Sequence, residues 1–298
     1  MAVRTPFLIV LISATAAAGE PDPKKDPEWV GTVHEAIDRG VAWLLSHQQA
    51  NGQFPAFTDA RGDIYPLGMH ALATLAVIKG GQPLDTPPAV KALRALHNLY
   101  ETHQFTLKTY EAGLTLMALE AKYFSVPPRA KGKKPPAGPK FDPADVAWAK
   151  KVALWIQTKQ QAGGMWRYPE EGEDLSNTQY AVLGLWSARR LGLDVDKGVV
   201  RRMIETVMAR QQADGPKVKR VLLSPDPRYG KWVESASQDR ARGWRYMPDY
   251  EQPLEGGKVR KIVYPYSGSM TSAGIACLAI GRELLGSQDP WLTPTMDG

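Results

Sequence analysis

One short motif recurs along this chain and limits what it can fold into. Residues 160–166 have the form Gln-x-x-x-Gly-x-Trp, and Gln48–Phe54 repeats it with phenylalanine in place of tryptophan. Gln211–Gly215 matches the first half, and Gln238 with Gly243-Trp244 matches the motif with altered spacing. Self-similarity of this kind is typical of repeat proteins, in which each unit packs against its neighbours. The sequence therefore predicts a repeat array.

The segments around the motif form two kinds of helical pattern. The helices predicted from Thr32 and from Asp142 carry apolar residues on one face only, whereas 67–79 and 177–191 are apolar around most of their circumference. Helices with a polar face belong outside, and helices that are apolar all round belong inside. The other two pairs are predicted at 89–102 with 110–123, and from Asp196 with 270–285. Four outer/inner pairs stacked in order predict an all-α, curved or closed double layer.

The ends and interruptions of the array also have signatures. Arg4, an apolar run over 6–12 and the alanines of 14–18 form the three regions of a cleaved export signal. We therefore predict a signal peptide at 1–18, a linker at 19–31, a repeat domain at 32–298, and export to the periplasm or the extracellular space. A Pro/Lys-rich insertion at 125–141 and a long insertion at 216–265 interrupt the domain.

Composition excludes several classes of partner and of cross-link. Arg4 and the five basic residues of 125–141 account for the formal charge of +6, so the folded body is close to neutral and no nucleic-acid partner is expected. The first apolar run is too short for a transmembrane segment. Cys277 is the single cysteine and lies in an apolar run, so we predict that it is a buried core residue.

The motif Gln160-x-x-x-Gly164-x-Trp166 resembles the QW motif of the squalene–hopene cyclase and prenyltransferase superfamily, and the resemblance covers about residues 32–285. It implies an α/α toroid in which the glutamine caps a helix end and the tryptophan stacks. A closed ring of this family has six or so helix pairs. With about four pairs, this chain is expected to form an incomplete or open toroid, or to belong to a longer chain with further repeats or another domain.

The catalytic signatures of the family are missing from the sequence. The nearest string to its Asp-x-Asp-Asp acid, Asp194-Val195-Asp196-Lys197, lacks the last aspartate and stands where an outer helix begins. The five histidines lie in about the first third of the chain, and Cys277 has no Asp-x-Cys context, so no zinc-ligand set is expected. The sequence predicts no catalytic residue, no metal and no cofactor.

A ligand site is expected where the loops enter the inner helices, because helix N-termini present free N–H groups and a positive dipole end. Aromatic rings there can stack on a sugar, or line a groove for a peptide, while carboxylates and hydroxyls donate and accept hydrogen bonds. A carboxylate pair, Glu173 or Asp174 with Asp249, could also act as acid and base. The candidate mouth consists of Trp166, Tyr168, Asp174, Asn177, Tyr180, Trp244, Tyr246, Asp249, Tyr264, Tyr266 and Ser269.

Three functions remain open at this level. The leading hypothesis is a secreted, non-catalytic repeat protein that binds an unknown ligand or protein partner, or that acts as an assembly module. The second is a carbohydrate-active lyase or hydrolase on an α/α toroid. The third is a divergent terpenoid cyclase, which would need an acid at one end of an apolar cavity. Against all three stands the simpler interpretation that the candidate residues cap helices and pack loops.

Overall fold

The computed structural model describes residues 27–56, 58, 65–103, 107–124, 139–168, 172–223, 232–286 and 289–292. Eight α-helices hold most of the residues in these ranges, which confirms the prediction of a mainly helical fold. The helices are α1 (Pro27–Ser46), α2 (Pro66–Lys79), α3 (Pro87–His103), α4 (Thr109–Phe124), α5 (Pro143–Thr158), α6 (Leu175–Arg190), α7 (Lys197–Ala209) and α8 (Gly268–Leu285). The predicted signal peptide and most of the insertion at 125–141 lie outside the described residues.

Seven of these helices begin within two residues of their predicted starts, and α1 begins at Pro27, five residues before Thr32. Aspartate caps explain the starts of two outer helices. Asp142 accepts a hydrogen bond from the N–H of Ala144 at 2.9 Å, and Asp196 accepts one from Gly198 at 2.7 Å. Each carboxylate satisfies a backbone N–H that has no partner within the helix.

The sequence Ser176-Asn177-Thr178-Gln179 has the form of a capping box, but Ser176 does not cap α6. Asp174 caps α6 and accepts the N–H of Asn177 at 2.7 Å, while the Ser176 hydroxyl hydrogen-bonds to the Tyr110 hydroxyl. The aspartate two residues upstream has the stronger acceptor, because a charged oxygen binds an N–H more tightly than a hydroxyl does.

The even-numbered helices form one row, which we call the inner row. α2 packs on α4, α4 on α6, and α6 on α8. The odd-numbered outer helices cover this row: α1 and α3 pack on α2, α5 on α4 and α6, and α7 on α8. Small residues allow close contact within the row, since a Cβ added at Gly184 of α6 would lie 2.8 Å from Cα of Gly113 in α4. The inner helices are apolar all round because they have neighbours on several sides.

The N-termini of the inner helices lie on the same side of the molecule. The N–H of Gly68, in the first turn of α2, donates to Glu111 in the first turn of α4 at 3.1 Å. The N–H of Leu175, the first residue of α6, donates at 2.9 Å to the carbonyl of Tyr246, in the segment that leads to α8. The loops that enter the inner helices therefore share one face of the molecule.

Short strands lie in these loops, and they were not predicted from the sequence. β1 (Trp166–Arg167) pairs with β2 (Glu173–Asp174) before α6. The insertion at 216–265 contains two antiparallel hairpins, and β5 pairs with β8 before α8 as β1 pairs with β2 before α6. The strands between α7 and α8 are β3 (Lys217–Leu223), β4 (Trp232–Arg240), β5 (Trp244–Arg245), β6 (Tyr250–Pro253), β7 (Val259–Ile262) and β8 (Tyr266–Ser267), with a 3₁₀ turn at Glu255–Gly257.

Cys277 is a buried core residue, as predicted. It lies in α8 and is fully buried in the main hydrophobic cluster. Burial raises the pKa of its thiol to about 12, so the reactive thiolate is scarce at neutral pH. The side chain acts in packing.

Candidate functional site

The Gln160 motif forms a turn that joins α5 to the next outer helix. The side-chain Nε2 of Gln160 donates to the carbonyls of Gly164 and Val199, both at 2.8 Å. Gly164 has φ +91°, and a Cβ there would lie 2.6 Å from the carbonyl oxygen of Arg202 in α7. Glycine is required by both the positive φ and the close approach. The turn therefore fastens the end of α5 to α7.

The Gln48 motif forms the same turn between α1 and α3. Nε2 of Gln48 donates to the carbonyls of Gly52 and Pro88, both at 3.0 Å, and Gly52 has φ +90°. Phe54 is buried at the position that Trp166 takes in the later turn. We call these units the Gln–Trp turns.

A third Gln–Trp turn is assembled from residues that are far apart in the sequence. The N–H of Gln212 donates to the carbonyl of Gly243 at 2.9 Å, as the N–H of Gln161 donates to Met165 at 2.9 Å. Trp244 follows Gly243 and so takes the place of the motif tryptophan. The β3–β4 hairpin is inserted within this turn.

The hairpin leaves and re-enters the turn at one point. The N–H of Ala241 donates to the carbonyl of Pro216 at 3.0 Å, and this hydrogen bond joins the two chain segments at the base of the hairpin. The prediction that Gln238 belongs to the motif is therefore wrong, since Gln238 lies in β4 opposite Lys219. Sequence spacing missed the match because the insertion interrupts it.

Trp166 and Trp244 are buried residues of these turns. Trp166 is fully buried, and its indole N–H donates to the carbonyl of Ile156 at 2.7 Å. Trp244 is 3% exposed, and its indole N–H donates to the carbonyl of Val207 at 2.6 Å. Trp166 therefore has no face open to a ligand, contrary to the prediction that its ring lines a ligand mouth. Trp244 does line the cleft described below, although only 3% of the residue is exposed.

Asp174 and Asn177 are also placed differently from the prediction. Both are buried, and the Asp174 carboxylate accepts the backbone N–H and the side-chain Nδ2 of Asn177, each at 2.7 Å. The pair closes the first turn of α6. These residues act as a helix cap, and a ligand at the surface would not contact them.

Five partly exposed tyrosines gather around the N-termini of α4 and α6. The ring of Tyr110 stacks on Tyr168 with centroids 5.7 Å apart, and it lies 4.3 Å from the ring of Tyr180. The rings of Tyr246 and Tyr264 are 5.5 Å apart. Burial, and then the neighbouring phenol of Tyr168, raise the pKa of Tyr110, so it stays a neutral hydroxyl. We call Tyr110, Tyr168, Tyr180, Tyr246 and Tyr264 the tyrosine surface.

A cleft of about 340 Å³ continues from the tyrosine surface, since Tyr246 lines both. The guanidinium of Arg245 lies 4.3 Å from the ring centre of Tyr266 and donates to Asp249 at 2.7 Å. Planar charged and aromatic groups thus stand side by side at its wall. The polar and aromatic residues that line the cleft include Arg210, Gln211, Arg245, Tyr246, Asp249 and Tyr266.

Ser269 lies at the start of α8 as part of its cap. Ser267 accepts the N–H of Met270 at 3.3 Å, and the Ser269 hydroxyl lies 3.2 Å from that of Ser267. Ser269 is exposed, and Tyr266, which pairs in β8 with Arg245, lies beside it in the chain. Ser269 therefore stands at the edge of the candidate site and does not line the cleft.

The candidate carboxylates are already engaged by other groups. Glu173 accepts a hydrogen bond from Arg210 at 2.6 Å, and Asp249 accepts one from Arg245 at 2.7 Å. The Arg245 guanidinium holds the pKa of Asp249 below its usual value. A general acid needs a pKa raised toward neutrality. An ionised Asp249 beside Arg245, and a Glu173 bound to Arg210, do not form an acid and base pair. Glu170 and Glu171 lie outside the described residues.

Three residues of the site escaped the sequence analysis. Tyr110 lies in the first turn of α4, and the candidate mouth was drawn only around the loops that lead into α6 and α8. Arg245 lies within Trp244-Arg245-Tyr246, which echoes Trp166-Arg167-Tyr168. No sequence pattern pointed to Arg210, because its partner Glu173 lies 37 residues away in the chain.

Among the described residues, no group of three or more His, Cys, Asp or Glu side chains is arranged to hold a metal ion. None of the helices in the ranges given above is long and apolar enough to cross a membrane. The sequence matches no family model and no curated protein.

Proposed function

We propose that the protein is an exported, non-catalytic binding module, built as an incomplete α/α toroid like those of the squalene–hopene cyclase and prenyltransferase superfamily. Three Gln–Trp turns, each following the C-terminus of an outer helix, support this architecture. The ligand class that the site fits best is an oligosaccharide. The tyrosine surface and its cleft make the contacts.

One observation carries the proposal, namely the assembly of five partly exposed tyrosines next to a cleft with paired charged groups. Tyr110, Tyr168 and Tyr180 come from α4 and the β1–α6 region, while Tyr246 and Tyr264 come from the second insertion. Tyrosine offers an apolar ring face and a hydroxyl in one side chain. A sugar ring presents the matching combination of C–H faces and hydroxyls, and Arg245 and Asp249 supply a donor and an acceptor beside it.

Binding without catalysis agrees better with the charges than either enzymatic alternative. A glycoside hydrolase needs one carboxylic acid that is protonated at neutral pH, and Asp249 has the opposite pKa shift. A terpenoid cyclase needs an acid at the end of an apolar cavity. Burial does raise the pKa of Glu111, but its carboxylate accepts the N–H groups of Gly68 and Lys108 at 3.1 and 3.2 Å and does not line the cleft.

The test is a binding screen of soluble oligosaccharides followed by titration calorimetry on variants of the surface. Tyr168→Ala should weaken the best ligand about 3- to 10-fold, the loss of one aromatic contact worth about 0.5–1.5 kcal/mol. Trp43→Ala is the control, because this ring is 61% exposed and lies on α1, away from the tyrosine surface. Absence of any binding oligosaccharide, or equal effects of the two variants, would contradict the proposal.

A further inference from the structure

Among the described residues, α8 is the last inner helix, and one of its faces is exposed although the equivalent face of α6 is buried. Thr178 of α6 and Thr271 of α8 are equivalent, since each hydroxyl accepts the backbone N–H of the motif tryptophan, at 3.2 and 3.3 Å. Four residues after them stand Val182, which is 1% exposed, and Ile275, which is 57% exposed. α6 has inner neighbours on both sides, α4 and α8. Ile275 is exposed because α8 has one on one side only.

Helix geometry identifies the direction of this face. The backbone of Tyr180 and the small residue Gly184 approach Gly113 of α4, so they mark the side of α6 that faces α4. Val182 is two residues from each of them, about 200° around the helix. It therefore points away from α4. By equivalence, Ile275 points away from α6 and toward the place of a following inner helix.

At the other end of the row, no inner helix precedes α2 within the part of the chain that the structure describes. His70 takes the place of Thr178 there, since its Nδ1 accepts the N–H of Phe54 at 3.2 Å. Ala76 stands six residues after His70, as Gly184 stands six residues after Thr178. Gly184 is buried against Gly113, whereas Ala76 is exposed. The side of α2 that corresponds to the α4 contact of α6 is therefore open.

The outer helix α1 shows the same deficiency. None of the side chains described in α1, over residues 29–46, is buried, whereas α3, α5 and α7 each bury a stripe of side chains. Ile37 is 44% exposed although it lies on an amphipathic helix. α5 shows why, because it packs on two successive inner helices, α4 and α6, while α1 packs on α2. One more inner helix would bury the exposed stripe of α1.

We propose that α8 of one copy packs against α1 and α2 of a second copy, so that the inner row continues from one molecule to the next. One chain carries both halves of this junction, the face after α8 and the face before α2. The ends of repeat arrays that lack a polar cap need such cover. The exposed apolar side chains on the two faces include Ile275 and Leu72, and the small side chain of Ala76 leaves room for Ile275 of the second copy. The contact is head-to-tail, and it does not depend on the proposed oligosaccharide binding.

The faces can be tested by substitutions that leave the single chain intact, because both positions are exposed in it. Ile275→Glu and Ala76→Glu should each raise the dissociation constant for self-association at least about 100-fold, since a carboxylate placed in an apolar contact must be buried without a partner. Leu154→Glu is the matched control. Leu154 is an equally exposed apolar side chain, at 58%, on outer helix α5, and its substitution should leave association unchanged.

The decisive experiment mixes the two variants. Each full-length chain alone should sediment as a monomer, and the 1:1 mixture should form a dimer, because Ile275→Glu keeps a good α2 face and Ala76→Glu keeps a good α8 face. A head-to-tail contact requires this complementation. A wild-type chain that stays monomeric overturns the proposal. So does association that survives either substitution, or a mixture that remains monomeric. Oligosaccharide binding by the monomeric variants would separate this result from the proposed function.

Discussion

Replacing Gln160 tests the inference that the Gln–Trp turn is a structural fastening. In Gln160→Ala the carbonyls of Gly164 and Val199 each lose a donor at 2.8 Å in a partly buried position. Such hydrogen bonds contribute about 0.5–1.5 kcal/mol each. Arg202 also loses its contacts to Oε1 at 3.0 and 2.7 Å, but its exposed guanidinium regains water, which adds little. The free energy of unfolding should therefore fall by about 1–3 kcal/mol.

Urea unfolding followed by circular dichroism measures this change as a lower midpoint at an unchanged slope. Gln161→Ala is the control, because the neighbouring side chain makes one exposed hydrogen bond, to the carbonyl of Lys159 at 2.9 Å. It should cost less than about 0.5 kcal/mol. Gln160→Glu keeps the shape but removes the donor, and it should destabilise at least as much as alanine. Equal unfolding midpoints for Gln160→Ala and Gln161→Ala would contradict the structural role of Gln160.

Two further predictions concern the interior of the turns. Burial lowers the pKa of His70, so the unfolded chain takes up the proton first, near pH 6.5, and the free energy of unfolding should fall as the pH drops below that value. In His70→Gln, the free energy of unfolding should depend less steeply on pH below about 6.5. A pH dependence equal to that of the wild type would contradict the role given to His70. Gly164→Ala and Gly81→Ala share a positive φ, but a Cβ at position 81 meets nothing within 4 Å. Gly81→Ala should lower the free energy of unfolding by about 1–2 kcal/mol, and Gly164→Ala should lower it clearly more. Equal midpoints of urea unfolding for the two variants would contradict the close contact of Gly164 with Arg202.

Much of the fold was readable from the sequence because local signals and packing agree. The apolar pattern of 67–79 and 110–123 predicts helices that are covered on several sides, and α2 and α4 have that burial. Asp142-Pro143 marks a helix start by its own chemistry. These features depend on a few neighbouring residues, which is why spacing alone found them.

The site was predicted less well, because its geometry depends on distant partners. Trp166 and Trp244 were expected in the candidate mouth because they lie in the loops before inner helices, yet both indole N–H groups bind carbonyls within the fold. Asp174 looked like a candidate acid and is a helix cap. Tyr110 went unnoticed until α4 and α6 were seen side by side. Tertiary contacts decided whether each aromatic or acidic residue was buried or open, and no local pattern encodes them.

We propose that the tyrosine surface and its cleft bind the ligand, whereas the Gln–Trp turns hold the repeats together. Hydrogen–deuterium exchange of the wild-type chain, with and without the best oligosaccharide from the screen, tests this directly. With bound ligand, amide exchange should become slower in 107–112, 172–180 and 243–267, while α3 and the middle of α5 stay unchanged. Protection confined to α3 and α5, or no protection at saturating ligand, would contradict it.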